Sequence, residues 1–474
     1  MATDAQTPHF QQKLGLFDAT MLVAGSMIGS GIFIVSADIS RDVGSSGWLL
    51  LIWILTGVIT IMGALSYAEL AAMMPHAGGQ YVYLREAYGP LCGFLYGWTF
   101  FLVIQTGFIA AVSVAFAKYL GVLVPSLGTD NELWKHAFDP VIDRGFELPW
   151  LPEGDRWVTF FKREKFAISA GQLVAVVVAA VLTGVNCFGV QAGKVVQNTF
   201  TVTKLLSLGL MILLGLTIAM HPTTFHNNLT NIWNGIWDTK QYEAVSKLAP
   251  SSAMAVFMVV AAAMVGSLFS SDSWNNVTFT AGETKDPKRN LPRSLALGTI
   301  IVTILYLLAN VSYLAALPIQ GNEKEAEKLE ALAKDEKDPA KKRDLDEHAT
   351  IARGINHAKD DRVGTAVLES ATGPIGVGVM AIAIMISTFG CVNGLVLSGP
   401  RLYYAMAQDG VFFQSVGKLT NRGVPAVGLV LQCIWSIVLI FSGTYGDLLD
   451  YTIFAALLFY AVTVAGLFVL RKTQ

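Results

Sequence analysis

The sequence predicts an all-α polytopic membrane protein built as two five-span halves of opposite topology, with the first and sixth spans broken. Three observations carry this expectation: a charge-poor apolar composition, ten segments of spanning length, and two polar interruptions five segments apart. Of 474 residues, 53% are hydrophobic and 14% charged, against roughly 45–50% and about 25% in soluble domains. Mean hydropathy is +0.52, so lipid is the expected solvent and partner. The 33 basic and 35 acidic residues leave a formal charge of −2, which argues against nucleic acid as a partner.

A spanning helix needs about 20 mainly apolar residues. Such segments lie at 17–41, 48–74, 90–125, 167–187, 195–220, 252–282, 294–318, 374–400, 424–442 and 446–470. Their lengths suit helices rather than the shorter strands of a membrane barrel. Residues 1–16 are polar and lack a cleavable leader pattern, so the first span is expected to be retained and to act as its own insertion signal. Hydrophilic inserts interrupt the series at 126–166 and 321–362. The second carries charges of both signs at helical spacing, as a solvated helical excursion or a solvent loop would. The halves are then 17–220 and 252–470. A Gly-Pro pair opens both the third and the eighth segment (Gly89-Pro90, Gly373-Pro374). Arg85, Lys194, Lys288 and Arg293, in short loops, place the N-terminus in the cytoplasm if the inserts are translocated.

The two interruptions, GSMIGSGIF at 25–33 and GSLFSSDSWNN at 266–276, decide the functional expectation. Irregular backbone at membrane depth survives only where protein or a water-filled cavity covers it. Each break exposes carbonyls at one helix end and N–H groups at the next, which attract a cation and an anion respectively. A zwitterionic amino acid satisfies both. Its carboxylate would lie on the N–H groups of Ser30 and Gly31, with the Ser30 hydroxyl as a further donor. The ammonium would face carbonyls around Met27, Ile28, Phe269 and Ser270. Asp272 is an intramembrane carboxylate that would accept the ammonium, pair with a cation, or cap the second half-helix near Asn275. Gln105, Trp274, Asn275, Cys391 and Asn393 are candidates for the pocket wall or for interhelical packing.

Enzymatic function is not expected, because no nucleophile–base set, zinc spacing or paired catalytic carboxylates occur within the spans. Nothing points to a cofactor or metal. Cys92, Cys187, Cys391 and Cys433 lie in apolar segments without CxxC spacing and read as small buried hydrophobes.

GSMIGSGIF, YAELAAMMPHAGGQYVYLREAYGP at 67–90, FSSDSWNNVTFTAGETKDPKRNLPRSL at 269–295 and STFGCVNGLVLSGPRLYYAMAQDG at 387–410 resemble the motifs of the L-amino acid transporter family of the amino acid-polyamine-organocation superfamily. That resemblance implies the leucine-transporter fold, a cytoplasmic N-terminus and sodium-independent uptake or exchange of amino acids by alternating access. It assigns backbone contacts with substrate to Met27, Ser30 and Gly31, and the closing aromatic gate to Phe269. It also favours a role for Lys204 in place of a sodium ion, near the carbonyls around Gly25 and the hydroxyls of Ser387 and Thr388; from the residues alone, Lys204 would equally snorkel to the interface. Twelve spans are usual in that family, and this sequence ends after the tenth. Neutral L-amino acids are the expected substrates, carried by exchange or with protons. An amino acid sensor and a sodium symporter are the alternatives, and a partner subunit is left open.

Overall fold

Apolar runs become helices because in hydrocarbon every backbone polar group must be paired within the chain. The structure, a computed structural model, describes residues 10–147, 157–230, 232–247, 249–442 and 445–473. The first half contains α1 (Leu16–Met27), α2 (Val35–Val43), α3 (Ser46–Met73), α4 (Gln80–Tyr88), α5 (Pro90–Thr99), α6 (Gln105–Leu123), α7 (Ala170–Cys187) and α8 (Val190–Thr217). Short helices α9 (Pro222–Asn228) and α10 (Lys240–Ser246) join it to α11 (Ser252–Ser270), α12 (Asn276–Phe279) and α13 (Pro287–Ala316). Then come α14 (Glu323–Asp335), α15 (Pro339–Arg353), α16 (Val363–Thr372), α17 (Pro374–Gln408), α18 (Ala426–Ser442) and α19 (Tyr445–Thr473).

Eight of these stretches are long and apolar enough to cross a bilayer, counting α5 and α6 as one run over Pro90–Leu123. Broken α1–α2 and the shorter α18 occupy the remaining two predicted spans. Exposed Leu206, Phe257, Ile375 and Phe454 form lipid-facing surface, the opposite of a water-soluble fold. Interior packing brings α13 against α3 and α1, and α17 against α6, α8 and α1.

Two spans depart from the expected regular helix. α17 continues through Pro400 to Gln408, although proline removes one ladder donor. Carbonyls beside it are taken by side chains: Leu395 accepts from Gln105 Nε2 at 2.6 Å, and Leu397 accepts from the Arg401 guanidinium. The third span accommodates one π-helical turn at Phe100–Ile104. There the Thr106 hydroxyl donates to the Phe101 carbonyl (2.6 Å) and Trp435 Nε1 to that of Leu102 (2.8 Å).

The inserts are folded. The first departs from the all-α expectation: β1 (Glu132–Glu147) and β2 (Trp157–Ser169) pair antiparallel. Ser169 then caps α7 by accepting from the Gln172 amide, which starts that helix three residues later than predicted. In the second insert, α14 and α15 form a helical hairpin. Asn322 and Asp338 cap the two helices, and Arg353 joins them through Glu330 at 3.0 Å. The solvent-loop reading of this insert is therefore replaced by the helical one.

Near the span ends, Glu69 pairs with Arg471, and Arg85 with Asp409 and Glu86, at half-exposed positions. Arg401 differs. Its guanidinium is 1% exposed and holds Glu283, 0% exposed, through two bonds of 2.8 and 3.1 Å. Removing one partner of such a pair strands a buried charge, so Glu283→Gln is expected to destabilise the fold by about 3–5 kcal/mol, read as a lowered unfolding temperature in detergent. Replacing both residues by apolar ones of similar volume should recover most of that loss.

Candidate functional site

The first break begins where α1 stops at Met27 and Ile28 turns extended (φ −78°, ψ 94°). Gly29 and Ser30 follow as bends, Gly31–Phe33 forms one tight turn, and α2 starts at Val35. Lys204, from α8, reaches this end of α1. Its ammonium donates to the carbonyls of Gly25 (2.6 Å), Ile28 (2.7 Å) and Ser387 (3.1 Å), which uses all three of its protons. At 2% exposure it does not snorkel. The Ser387 hydroxyl donates to the Ile28 and Gly29 carbonyls, both at 3.0 Å. Serine 387 therefore meets the lysine through its carbonyl rather than its hydroxyl. Thr388 does not meet it at all: its hydroxyl returns to Ile384 and Met385 of its own helix.

The second break follows α11. Ser271 and Asp272 leave the helix, Ser273 takes a left-handed conformation (φ 68°), and α12 is a single turn. The two breaks meet. A Cβ on Gly31 would lie 2.2 Å from Ser270 Oγ and 3.1 Å from Ser270 Cα, so glycine at 31 is required by the approach of α11 itself. Tyr306 of α13 spans the junction, its hydroxyl 2.9 Å from the Ser270 carbonyl and 3.2 Å from that of Met27. Phe269 stacks on Phe108, with centroids 5.6 Å apart. Ser30, Ser270 and Asp272 are all buried.

Asp272 neither pairs with a cation nor reaches the α12 end near Asn275. Its Oδ1 accepts from the Tyr460 hydroxyl at 2.6 Å, while its buried Oδ2 has no hydrogen-bond partner among the described residues. Tyr460 also lies 3.1 Å from Asn275 Oδ1, and Asn275 donates to Gln80 at 3.0 Å. Trp274 packs edge-on against Tyr67 and beside Tyr460.

Other predicted pocket residues are engaged between helices. Gln105 binds α17, and Asn393 donates to Gly193 and Gln197. Cys391 donates its thiol to the Ser26 carbonyl at 3.0 Å and lies near Gly29. Sequence reasoning missed Tyr306, Tyr460 and the stripe Tyr306–Asn310–Tyr313. Those last three share one helix face at i, i+4 and i+7, and all touch the first broken span: Asn310 accepts from Ser36 at 2.7 Å, and Tyr313 donates to the Ile32 carbonyl at 3.1 Å. Such a polar stripe inside an apolar helix was a readable signal.

A buried lysine on the carbonyls of one broken span, with a second break packed against it, is the geometry to compare with known proteins. The family model for amino acid permeases matches residues 14–474. The chain belongs to the amino acid permease family. Relatives of this permease include the large neutral amino acids transporter small subunit 2 of Homo sapiens, 29% identical over 467 residues, covering 97% of this chain and 70% of that protein. Another is the b(0,+)-type amino acid transporter 1 of Mus musculus, 26% identical over 474 residues, with 100% and 79% covered. Among solved structures, the nucleobase-cation-symport-1 family transporter Mhp1, closed with bromovinylhydantoin bound, aligns with a TM-score of 0.44 and 11% identity, over 98% of this chain and 80% of that one. The permease is thus an integral membrane transport protein, not an enzyme.

Tyr306→Phe removes the one hydroxyl that faces both breaks. We expect it to lower stability by about 1–3 kcal/mol, measured by thermal unfolding, with the loss restored by neither Tyr313→Phe nor added salt.

Proposed function

We propose that this permease is a sodium-independent secondary transporter of neutral L-amino acids. It would work by alternating access, as an exchanger or a proton-linked carrier, in a cell membrane with its N-terminus cytoplasmic. The observation that carries the reading is the Lys204 ammonium on the Gly25, Ile28 and Ser387 carbonyls. Three converging carbonyls in hydrocarbon demand a cation, and a covalently fixed one leaves no place for a mobile sodium ion.

The substrate carboxylate is assigned to the N–H groups of Ser30 and Gly31, which lie between the end of α1 and the start of α2. Its ammonium faces the carbonyls of Met27, Ile28, Phe269 and Ser270 together with Asp272 Oδ2. The Met27, Phe269 and Ser270 carbonyls each accept one protein hydrogen bond and offer a second lone pair. Ile28 already accepts from both Lys204 and Ser387 and adds only its dipole, and the unpartnered carboxylate oxygen supplies the stronger acceptor. Phe269 is assigned the gate. The name of one relative, for large neutral amino acids, supports this substrate class, and that of the other, a b(0,+)-type amino acid transporter, supports an amino acid substrate more broadly.

In proteoliposomes, radiolabelled leucine or alanine should exchange against internal amino acid at equal rates in sodium and in choline buffers. A strict sodium requirement with Lys204 intact would sink the proposal. Gly31→Val should abolish binding; because its side chain would also press on Ser270, its unfolding temperature is measured alongside, and binding retained by this variant would overturn the assigned carboxylate site. Lys204→Met should reduce exchange by roughly a hundredfold, on the basis of about 1–3 kcal/mol per carbonyl left without a donor.

A further inference from the structure

The helical hairpin of the second insert covers a cavity whose lining includes no residue of the two breaks. It has a volume of about 430 Å³ and lies between α14 and α15 on one side and α16, the end of α6 and the start of α17 on the other. That volume falls within the range of small-molecule sites. Of its fourteen lining residues, five are cationic and three acidic.

Two of the three acids are offset, and the third, Asp346, stands against five cations. Glu330 is bound by Arg353 at 3.0 Å, and burial pushes the Glu369 carboxyl up from its ordinary value, against the pull of Lys359. Among the described residues, no ion pair joins Lys334 or Lys342, both exposed at the mouth, to an acid. Arg362 reaches Asp360 at 3.3 Å through one terminal nitrogen, but its buried Nε has no partner among the described residues. On the next helical turn Thr365, 7% exposed, also has a buried hydroxyl without a partner among the described residues. Two orphaned donors in one cavity are a cost that a bound acceptor removes.

The floor adds a constraint on what that acceptor belongs to. Val122 and Val377 line it, and next to them Leu123, Val124, Ile375 and Val379 are exposed on the outer surface of their spans. Apolar span surface therefore runs up to a cationic cavity at the level where the helices leave the bilayer.

We propose that this cavity binds a phosphate group of headgroup size, with Arg362 Nε and the Thr365 hydroxyl donating to its oxygens and Lys334 and Lys342 closing the mouth. An anionic phospholipid and a soluble phosphate monoester share this chemistry, and the experiment separates them. The full chain is placed in phosphatidylcholine nanodiscs, and its unfolding temperature is followed on titration with glycerol phosphate. A parallel series replaces part of the phosphatidylcholine by phosphatidylglycerol. A rise in the glycerol phosphate series assigns a free solute, and a rise confined to the phosphatidylglycerol series assigns a headgroup. Either supports the proposal if Lys334→Glu with Lys342→Glu weakens the apparent affinity by roughly tenfold or more and the near-isosteric Thr365→Val weakens it as well. No rise with either probe overturns it, as does a rise that the variants leave unchanged. Because the readout is binding, it stands or falls separately from the sodium and substrate assays.

Discussion

An unpaired carbonyl in the middle of a bilayer needs a donor, and in this permease the interrupted spans borrow theirs from intact neighbours. Lys204 comes from α8, Ser387 from α17 and Tyr306 from α13. Each reaches main-chain oxygen that α1 or α11 leaves behind on breaking. Without these three side chains the irregular backbone would have to be hydrated, and the close seating of Gly31 on Ser270 would have nothing to hold it.

The charge arrangement follows from the same constraint. The centre holds one fixed cation, saturated by three oxygens, and one carboxylate with an oxygen to spare. A guest whose own charges sum to zero leaves that balance undisturbed. An extra positive or negative group would have to be desolvated with no counter-ion prepared for it. The side-chain chemistry around the breaks is otherwise aromatic and hydroxylic, from Phe108, Phe269 and Tyr306 to Tyr460, which fits an amphipathic guest.

The spans and both breaks were legible in the sequence because hydrocarbon punishes polar interruption, so that GSMIGSGIF and SSDSWNN could not be accidents of an apolar run. Lys204 was legible as a charge within a span, free to snorkel or to stay buried, and the family resemblance chose between the two. What escaped was direction. Gln105 and Asn393 are polar and mid-span, but nothing in their spacing says that they bind neighbouring helices rather than a guest. Thr388 satisfies itself on its own helix, a choice open to any membrane threonine. Tyr460 pairs with Asp272 across 188 positions of chain, which only tertiary packing reveals. The β1–β2 ribbon lay hidden in an insert read only for its polarity.

Before the first span, the chain forms a short parallel bridge. Leu14 pairs with Thr284, the Lys13 and Leu14 amides donate to the Glu283 carbonyl, and Lys285 donates back to Leu14. Glu283 is also the residue that Arg401 holds. A latch thus fastens the entry to α1, the exit from α12 and the far end of α17 into one block. Its main-chain links are worth about 1 kcal/mol each in net terms, far less than the lysine-filled junction at the centre. The backbone links of the latch thus tie the mouth of the first span to the second break by bonds that water could replace, whereas the Arg401–Glu283 pair beneath them could not be broken without stranding a charge.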